Sequence, residues 1–304
     1  LALVALAWAR SFRGMESAGE PLPPRTFRVA AVQMYSRMGD LTYNRARMEK
    51  LARAAAERGA DVIVFPEASV TGYVSKDFEI WTDPVARPDE GRSLQSYAET
   101  AGGKSVERFR RLAAELGVYI VIPFIEYDRA QKHYYNTLIL AGPGGKVRGH
   151  YRKLNPWPRA EAPWATAGDR GLCAVKTEFG RLGLLICYDI HTVADRLAKQ
   201  GVDTLLYSIA WVDHKPQMWF DERLPGIADR LQVNIVASNW TFPRKSPLQE
   251  KGYGYSRVIS ADGEVLARAS AALSEEIVFA DLPVHGEDGT TDGHRWTQMN
   301  TDEH

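Results

Sequence analysis

A glutamate, a lysine and a cysteine stand out in this chain by what precedes each of them. Glu67 closes the run Asp61-Val62-Ile63-Val64-Phe65-Pro66, and Cys187 closes Leu182-Gly183-Leu184-Leu185-Ile186. Lys153 ends His150-Tyr151-Arg152, downstream of a strand-like run over residues 135–140 and a turn. An apolar run that stops on one polar residue reads as a buried strand that delivers a side chain to a sheet edge. At one edge, the three would supply a general base, a cation for an oxyanion and a nucleophile. A thiol attacks only as its thiolate or with a base beside it, so Cys187 needs a partner such as Glu67. Each residue also has a plainer reading. Glu67 could be a solvated loop carboxylate, Lys153 a surface lysine beside Arg152, and Cys187 a small buried hydrophobe. Taken singly, the plainer reading is the commoner one, and joint occurrence is what favours chemistry. Cys173 keeps the plainer reading.

The elements that would hold these residues alternate between strand and helix. Residues 27–34 and 62–65 read as buried strands, and residues 44–59 as a helix with Met48, Leu51, Ala52 and Ala55 on one face. Gly59 ends that helix, and Gly117 ends a second over residues 105–116. Residues 118–125 and 135–140 make a hairpin. Strands follow over 182–187, 202–209 and 233–238, with a short helix over 193–200. Residues 218–231 are mostly helical, and Pro225 is expected to kink or break them. A hairpin turns at Ala261-Asp262-Gly263, and residues 276–282 make a last strand. Strands broken up by hairpins point to mixed sheets with helices outside. The sequence shows no internal repeat, and residues 26–285 read as one domain.

Composition narrows the classes. The chain has 304 residues, 45% of them hydrophobic, which is ample for a core. Lys plus Arg and Asp plus Glu number 38 each, so no charge footprint for nucleic acid is present. The two cysteines are too few for a disulfide framework and fit a reducing compartment, which makes the cytoplasm the expected location. No Cys/His cluster has zinc spacing and no glycine loop has phosphate-binding spacing, so neither metal nor cofactor is expected. Residues 1–25 form an apolar start and a Pro-rich linker. The start has three readings: the end of a signal peptide, given Ala7-Trp8-Ala9; the last turns of a membrane helix; or an artefact upstream of Met15. The third is favoured. Residues 286–304 read as a polar tail.

The contexts of the three residues resemble the nitrilase superfamily of carbon–nitrogen hydrolases. Phe65-Pro66-Glu67 with Thr71-Gly72-Tyr73 looks like its glutamate motif, Tyr151-Arg152-Lys153-Leu154 like its lysine motif, and Cys187-Tyr188-Asp189 like its nucleophile motif. Their order and separation fit, and the resemblance covers nearly all of residues 27–282. It implies an α/β fold, an α-β-β-α sandwich of two mixed sheets with outer helices, assembled as a homo-oligomer. It further implies that Cys187 attacks a carbonyl or nitrile carbon while Glu67 takes the thiol proton. Lys153 and the backbone N–H of Tyr188 would hold the oxyanion. Glu161, eight residues after Lys153, resembles the second glutamate of the aliphatic-amidase branch; a loop carboxylate is the competing reading. Residues 202–211 and 233–239 are similar to the pantetheinase and biotinidase branch, where Trp211 would line the acyl pocket. Tyr73 joins Glu161, Tyr188 and Trp211 as an expected substrate contact. After Cys187-Tyr188-Asp189 this chain has Ile190-His191-Thr192-Val193 where many members have Arg-Phe-Pro-Glu.

The expected reaction is cleavage of a small linear amide to acid plus amine or ammonia through a cysteine thioester. A nitrilase acting on a nitrile is the first alternative. An N-acyltransferase is the second, should membrane helices lie upstream. A non-catalytic scaffold has no need of all three residues. The loops over residues 76–92 and 240–252 are expected to set substrate choice.

Overall fold

A computed structural model describes residues 25–73, 94–158, 160–211, 217–241, 254–270 and 273–285. The apolar start, the polar tail and most of the two expected substrate loops lie outside them. The first sheet holds β1 (Thr26–Gln33), β2 (Val62–Val64), β3 (Tyr119–Asp128), β4 (His133–Ala141), β5 (Val147–Arg152) and β12 (Glu276–Pro283), in the order β12-β1-β2-β3-β4-β5. The second holds β6 (Ala174–Thr177), β7 (Gly180–Ile186), β8 (Thr204–Ser208), β9 (Asn234–Ser238), β10 (Arg257–Ile259) and β11 (Val265–Arg268), in sequence order. Both sheets are mixed, and both run through the same succession. From β12 and from β6, one antiparallel pair is followed by two parallel and two antiparallel pairs. The two sheets thus share a topology that the sequence does not display as a repeat.

Side-chain alternation assigns the layers. Val29, Ala31, Val62, Val64, Tyr119, Val121, Leu138, Leu140 and Tyr151 face the second sheet and join one core with Leu182, Leu184, Leu205 and Ile235. Their neighbours Ala30, Val32, Ile63, Ile120, Ile122 and Ile139 face outward, under α1 (Leu41–Glu57) and α2 (Lys104–Leu116). Helix α1 contributes the expected stripe Met48, Leu51, Ala52 and Ala55, and α2 contributes Val106, Phe109, Leu112 and Ala113. Helices α3 (Ala194–Lys199) and α4 (Leu224–Leu231) complete the α-β-β-α sandwich, packing Leu197, Leu224 and Ala228 into the core of the second sheet.

Four local outcomes differ from the sequence expectation. Helix α1 starts three residues earlier, at Leu41, because the Asp40 carboxylate accepts from the Tyr43 N–H at 2.9 Å and caps it. Pro225 does not break its helix. A π-helical turn over Met218–Arg223 precedes it, and the Leu224 N–H reaches back to the Trp219 carbonyl. Pro225 therefore falls in the first turn of α4, where its missing N–H is not called on. Strand β5 was not expected, because Val-Arg-Gly-His-Tyr-Arg is too polar to read as one. Strand β6, a four-residue edge, was likewise not expected.

The ends of the central strands are tied across the sandwich. Ser208 Oγ donates to the Phe65 carbonyl at 2.8 Å, and Ser238 Oγ donates to the Val64 carbonyl at 2.8 Å and to that of Val32. Met34 and Trp240 form a parallel bridge. At this edge β1, β2, β8 and β9 finish together, and β2 leads into Glu67.

Candidate active site

Glu67 sits on a tight turn after β2. Gly72 closes it at φ +77°, and a Cβ there would lie 2.5 Å from the Met38 Cα, so only glycine fits. The Glu67 backbone is fixed on both sides: its N–H donates to the Ile209 carbonyl at 3.2 Å, and its carbonyl accepts from Trp240 Nε1 at 2.7 Å. The side chain is fully buried. Oε1 accepts from Lys153 Nζ at 2.8 Å and from Asn136 Nδ2 at 2.7 Å. Oε2 is buried with no hydrogen-bond partner.

Lys153 follows β5, where its N–H donates to the Asn136 carbonyl at 2.8 Å. It is no surface lysine, being 1% exposed. Its Nζ also donates to Glu161 Oε2 at 2.6 Å, and Glu161 is held by the Trp157 N–H at 2.6 Å and by Asn136 Nδ2 at 2.5 Å. Glu161 is fully buried, so it is not a free loop carboxylate. One ammonium thus bridges two carboxylates.

Cys187 opens a 3₁₀ turn, Cys187–His191, directly after β7. Its φ is +37°, a left-handed conformation that costs a non-glycine residue about 1 to 3 kcal/mol and that the surroundings must enforce. Tyr207 helps, its hydroxyl donating to the Cys187 carbonyl at 2.9 Å.

The electrostatics follow from burial. Burial pushes the Cys187 thiol well above its ordinary range, the Glu67 charge pushes it further, and Lys153 and the Ala210 N–H pull it back. The thiol is therefore neutral near pH 7 and needs a base. Burial raises the Glu67 carboxyl to about 7, with Glu161 adding to the rise and Lys153 opposing it. Burial alone would lower the Lys153 ammonium, but the charges of Glu161 and Glu67 outweigh it and keep the cation charged.

The structure brings Glu67, Lys153, Glu161 and Cys187 into one electrostatic group, and Tyr73 with them. Tyr73 is buried, which together with the charges of Glu161 and Glu67 pushes its hydroxyl well above the ordinary range, and it meets Trp240 edge-on at 5.9 Å. Trp211 and Tyr188 belong to a neighbouring row of rings. Trp211 stacks on Trp219 at 4.1 Å, Trp219 lies 5.3 Å from His191, and His191 lies 5.3 Å from Tyr188. Tyr188 is turned outward at 38% exposure. The indole N–H groups of Trp211 and Trp219 are buried without a partner. Asn136, which joins Glu67 to Glu161, is not among the site residues that the sequence points to. A single amide in the apolar run of β4 is the signal that could have found it, because a buried amide must be hydrogen-bonded.

A family model described as carbon–nitrogen hydrolase matches residues 28–288, and the chain belongs to that family. It is 30% identical to an omega-amidase of Bos taurus over 84% of this chain and 88% of that one. It is 29% identical to an N-carbamoylputrescine amidase of Solanum lycopersicum over 81% and 82%. An amidase from Nesterenkonia superposes with a TM-score of 0.71 at 21% identity, covering 88% of this chain and 94% of that one. A variant of the same amidase carries the acetamide moiety of fluoroacetamide on its active-site cysteine.

Proposed function

We propose that this carbon–nitrogen hydrolase cleaves a small linear amide through a thioester on Cys187. Glu67 takes the thiol proton through its free Oε2, and the sulfur adds to the carbonyl carbon. Lys153 Nζ and the Tyr188 N–H stabilise the oxyanion that forms. The C–N bond breaks, and the nitrogen leaves as amine or ammonia with the proton from Glu67. Water then attacks the thioester, giving up a proton to Glu67, and the acid departs as the thiol re-forms. Glu161 holds Lys153 and orients the amide, while Tyr73, Tyr188 and Trp211 contact the rest of the substrate.

The observation that carries this reading is the Lys153 bridge between two fully buried carboxylates, one of which keeps an oxygen open, beside a cysteine at positive φ. The names of the amidase relatives support an amide. A nitrile is the second reading, supported by 33% identity over 62% of the chain to an aliphatic nitrilase of Sinorhizobium fredii. The enzyme is read as a homo-oligomer. The two free cysteines support a reducing compartment, the cytoplasm. Among the described residues no helix is long and apolar enough to cross a membrane.

The test is product release followed by mass spectrometry. Primary amides, a pantetheine-type amide, a biotin amide, a carbamoyl amine and nitriles are offered to wild type and to Cys187→Ala. Acid from one class, lost in the variant, is the expected result. Turnover that survives in Cys187→Ala overturns the proposal.

A further inference from the structure

Cys187 follows β7 of the second sheet and Lys153 follows β5 of the first, so something must hold the two segments in register. Asp189, two residues after Cys187, is fully buried. Its Oδ2 accepts from the Tyr151 hydroxyl at 2.5 Å and from the Leu154 N–H at 3.1 Å. Its Oδ1 accepts from the Asn155 N–H at 2.8 Å and from Asn155 Nδ2 at 2.7 Å. Three of these four donors come from the two residues that follow Lys153. The Asp189 carbonyl accepts from Thr192 and Val193, which closes the turn carrying Cys187, and Asn155 Nδ2 also reaches Thr192 Oγ1 at 2.9 Å.

The geometry points to Asp189 as the positioning residue that holds the Lys153 ammonium and the Cys187 thiol in one frame. The inference rests on the roles proposed above for Glu67, Lys153 and Cys187. A carboxylate suits the task because four donors converge on it, and an ionised carboxylate accepts without donating. An asparagine of the same size would turn an NH₂ group against those donors. The segment after Lys153 would then swing away, and the ammonium would retreat from Glu67. A misplacement of about 1 Å at a reacting group costs about 10²-fold in rate.

The test compares wild type, Asp189→Asn, Asn155→Ala and Tyr151→Phe, using whichever amide the panel shows to be turned over. Asp189→Asn is expected to lower kcat about 10²-fold, with little change in KM. Because Lys153 opposes the rise of Glu67, its retreat must also move the acidic limb of the pH profile upward. Asn155→Ala and Tyr151→Phe keep the carboxylate and remove one donor each, so they should show the same shift in smaller measure. They carry the test if Asp189→Asn does not fold. The rate at which iodoacetamide alkylates the Cys187 peptide, followed against pH, reports the same limb without a substrate. A loss of rate with the limb unmoved, in Asp189→Asn or in both milder variants, means a merely structural role and overturns the inference. So does unchanged kcat. If Glu67→Gln instead keeps the wild-type rate and profile, the base assignment is what has failed.

Discussion

Arg152 and Lys153 are neighbours in the chain, both buried, both among carboxylates, and they end in opposite kinds of surroundings. Arg152 meets Glu126 at 2.6 Å, Asp128 at 2.8 Å and Asp169 at 2.9 Å, with its guanidinium 3.9 Å over the Tyr135 ring. Glu126 also accepts from Thr137 at 2.8 Å and pairs with His150 at 2.8 Å. No buried polar atom of Arg152 or its carboxylates is left without a partner. Around Lys153 the ledger stays open: Glu67 Oε2 and Asn136 Oδ1 are buried and unpaired. A complete cluster leaves no buried polar atom open to a reactant. An incomplete one costs stability, and that cost is tolerated where the open atom has a reactant to meet.

Lys153→Met should break the comparison most severely. It strands two buried carboxylates and removes the cation proposed to hold the oxyanion, so activity should fall about 10³-fold or more and stability by about 3 to 5 kcal/mol. Product release and urea unfolding check the two halves.

Glu67→Gln separates the halves. Activity should drop about 10²- to 10⁴-fold, yet the remaining Lys153–Glu161 pair is balanced. Burial raises Glu67 from its ordinary 4.5 to about 7 in the folded state, so the stability that its neutral form contributes is lost as pH rises from 4.5 through about 7. The variant should therefore melt no lower than wild type at pH 8, and a large drop in Tm would contradict the open-site account. In the wild type, activity should rise with pH through about 7 as Glu67 ionises.

Arg152→Met is the mirror case. It takes the guanidinium from the buried Glu126, which keeps only His150 and Thr137, and should cost about 3 to 5 kcal/mol, while activity per folded molecule changes less than about tenfold.

Acid should reach the Arg152 cluster late. Burial favours raising the Glu126 carboxyl, but His150, Arg152 and Thr137 hold it at about 2. A depressed value contributes stability above the unfolded range, near 4.5, and that stability is lost as pH falls toward 2. Glu126→Gln should flatten the acid limb of the stability curve in this window. The smallest effect belongs to Thr137→Val, about 0.5 to 1.5 kcal/mol for one hydrogen bond.

Much of the site was legible from local pattern. The runs before Glu67 and Cys187 are strands because strands buried on both faces must be apolar, and each stops where its polar residue begins. Lys153 was legible only through its motif, since β5 carries Arg148, His150 and Arg152 and lacks an apolar signature. That polarity has a tertiary reason: His150 and Arg152 lie on the face that carries Glu126 and Asp128. The helix continues through Pro225 because of the π-helical turn before it, a packing outcome with no local sequence signal, in which Trp219 and Phe220 are buried in the core of the second sheet.

The sequence by itself determined that Glu67 and Cys187 follow buried strands and to which family the chain belongs, because both are written in short contiguous runs. Only the tertiary structure decided that Arg152 is locked and Lys153 is poised. It also decided that Glu161 and Asn136 complete the lysine's surroundings, and that Asp189 bridges the two sheets' contributions. The physical reason is register. Successive side chains on a strand point to opposite faces, so Tyr151 enters the core between the sheets and Arg152 the outer cluster. Which partners wait on each face depends on how β3, β4 and β5 pair and on how closely the second sheet approaches.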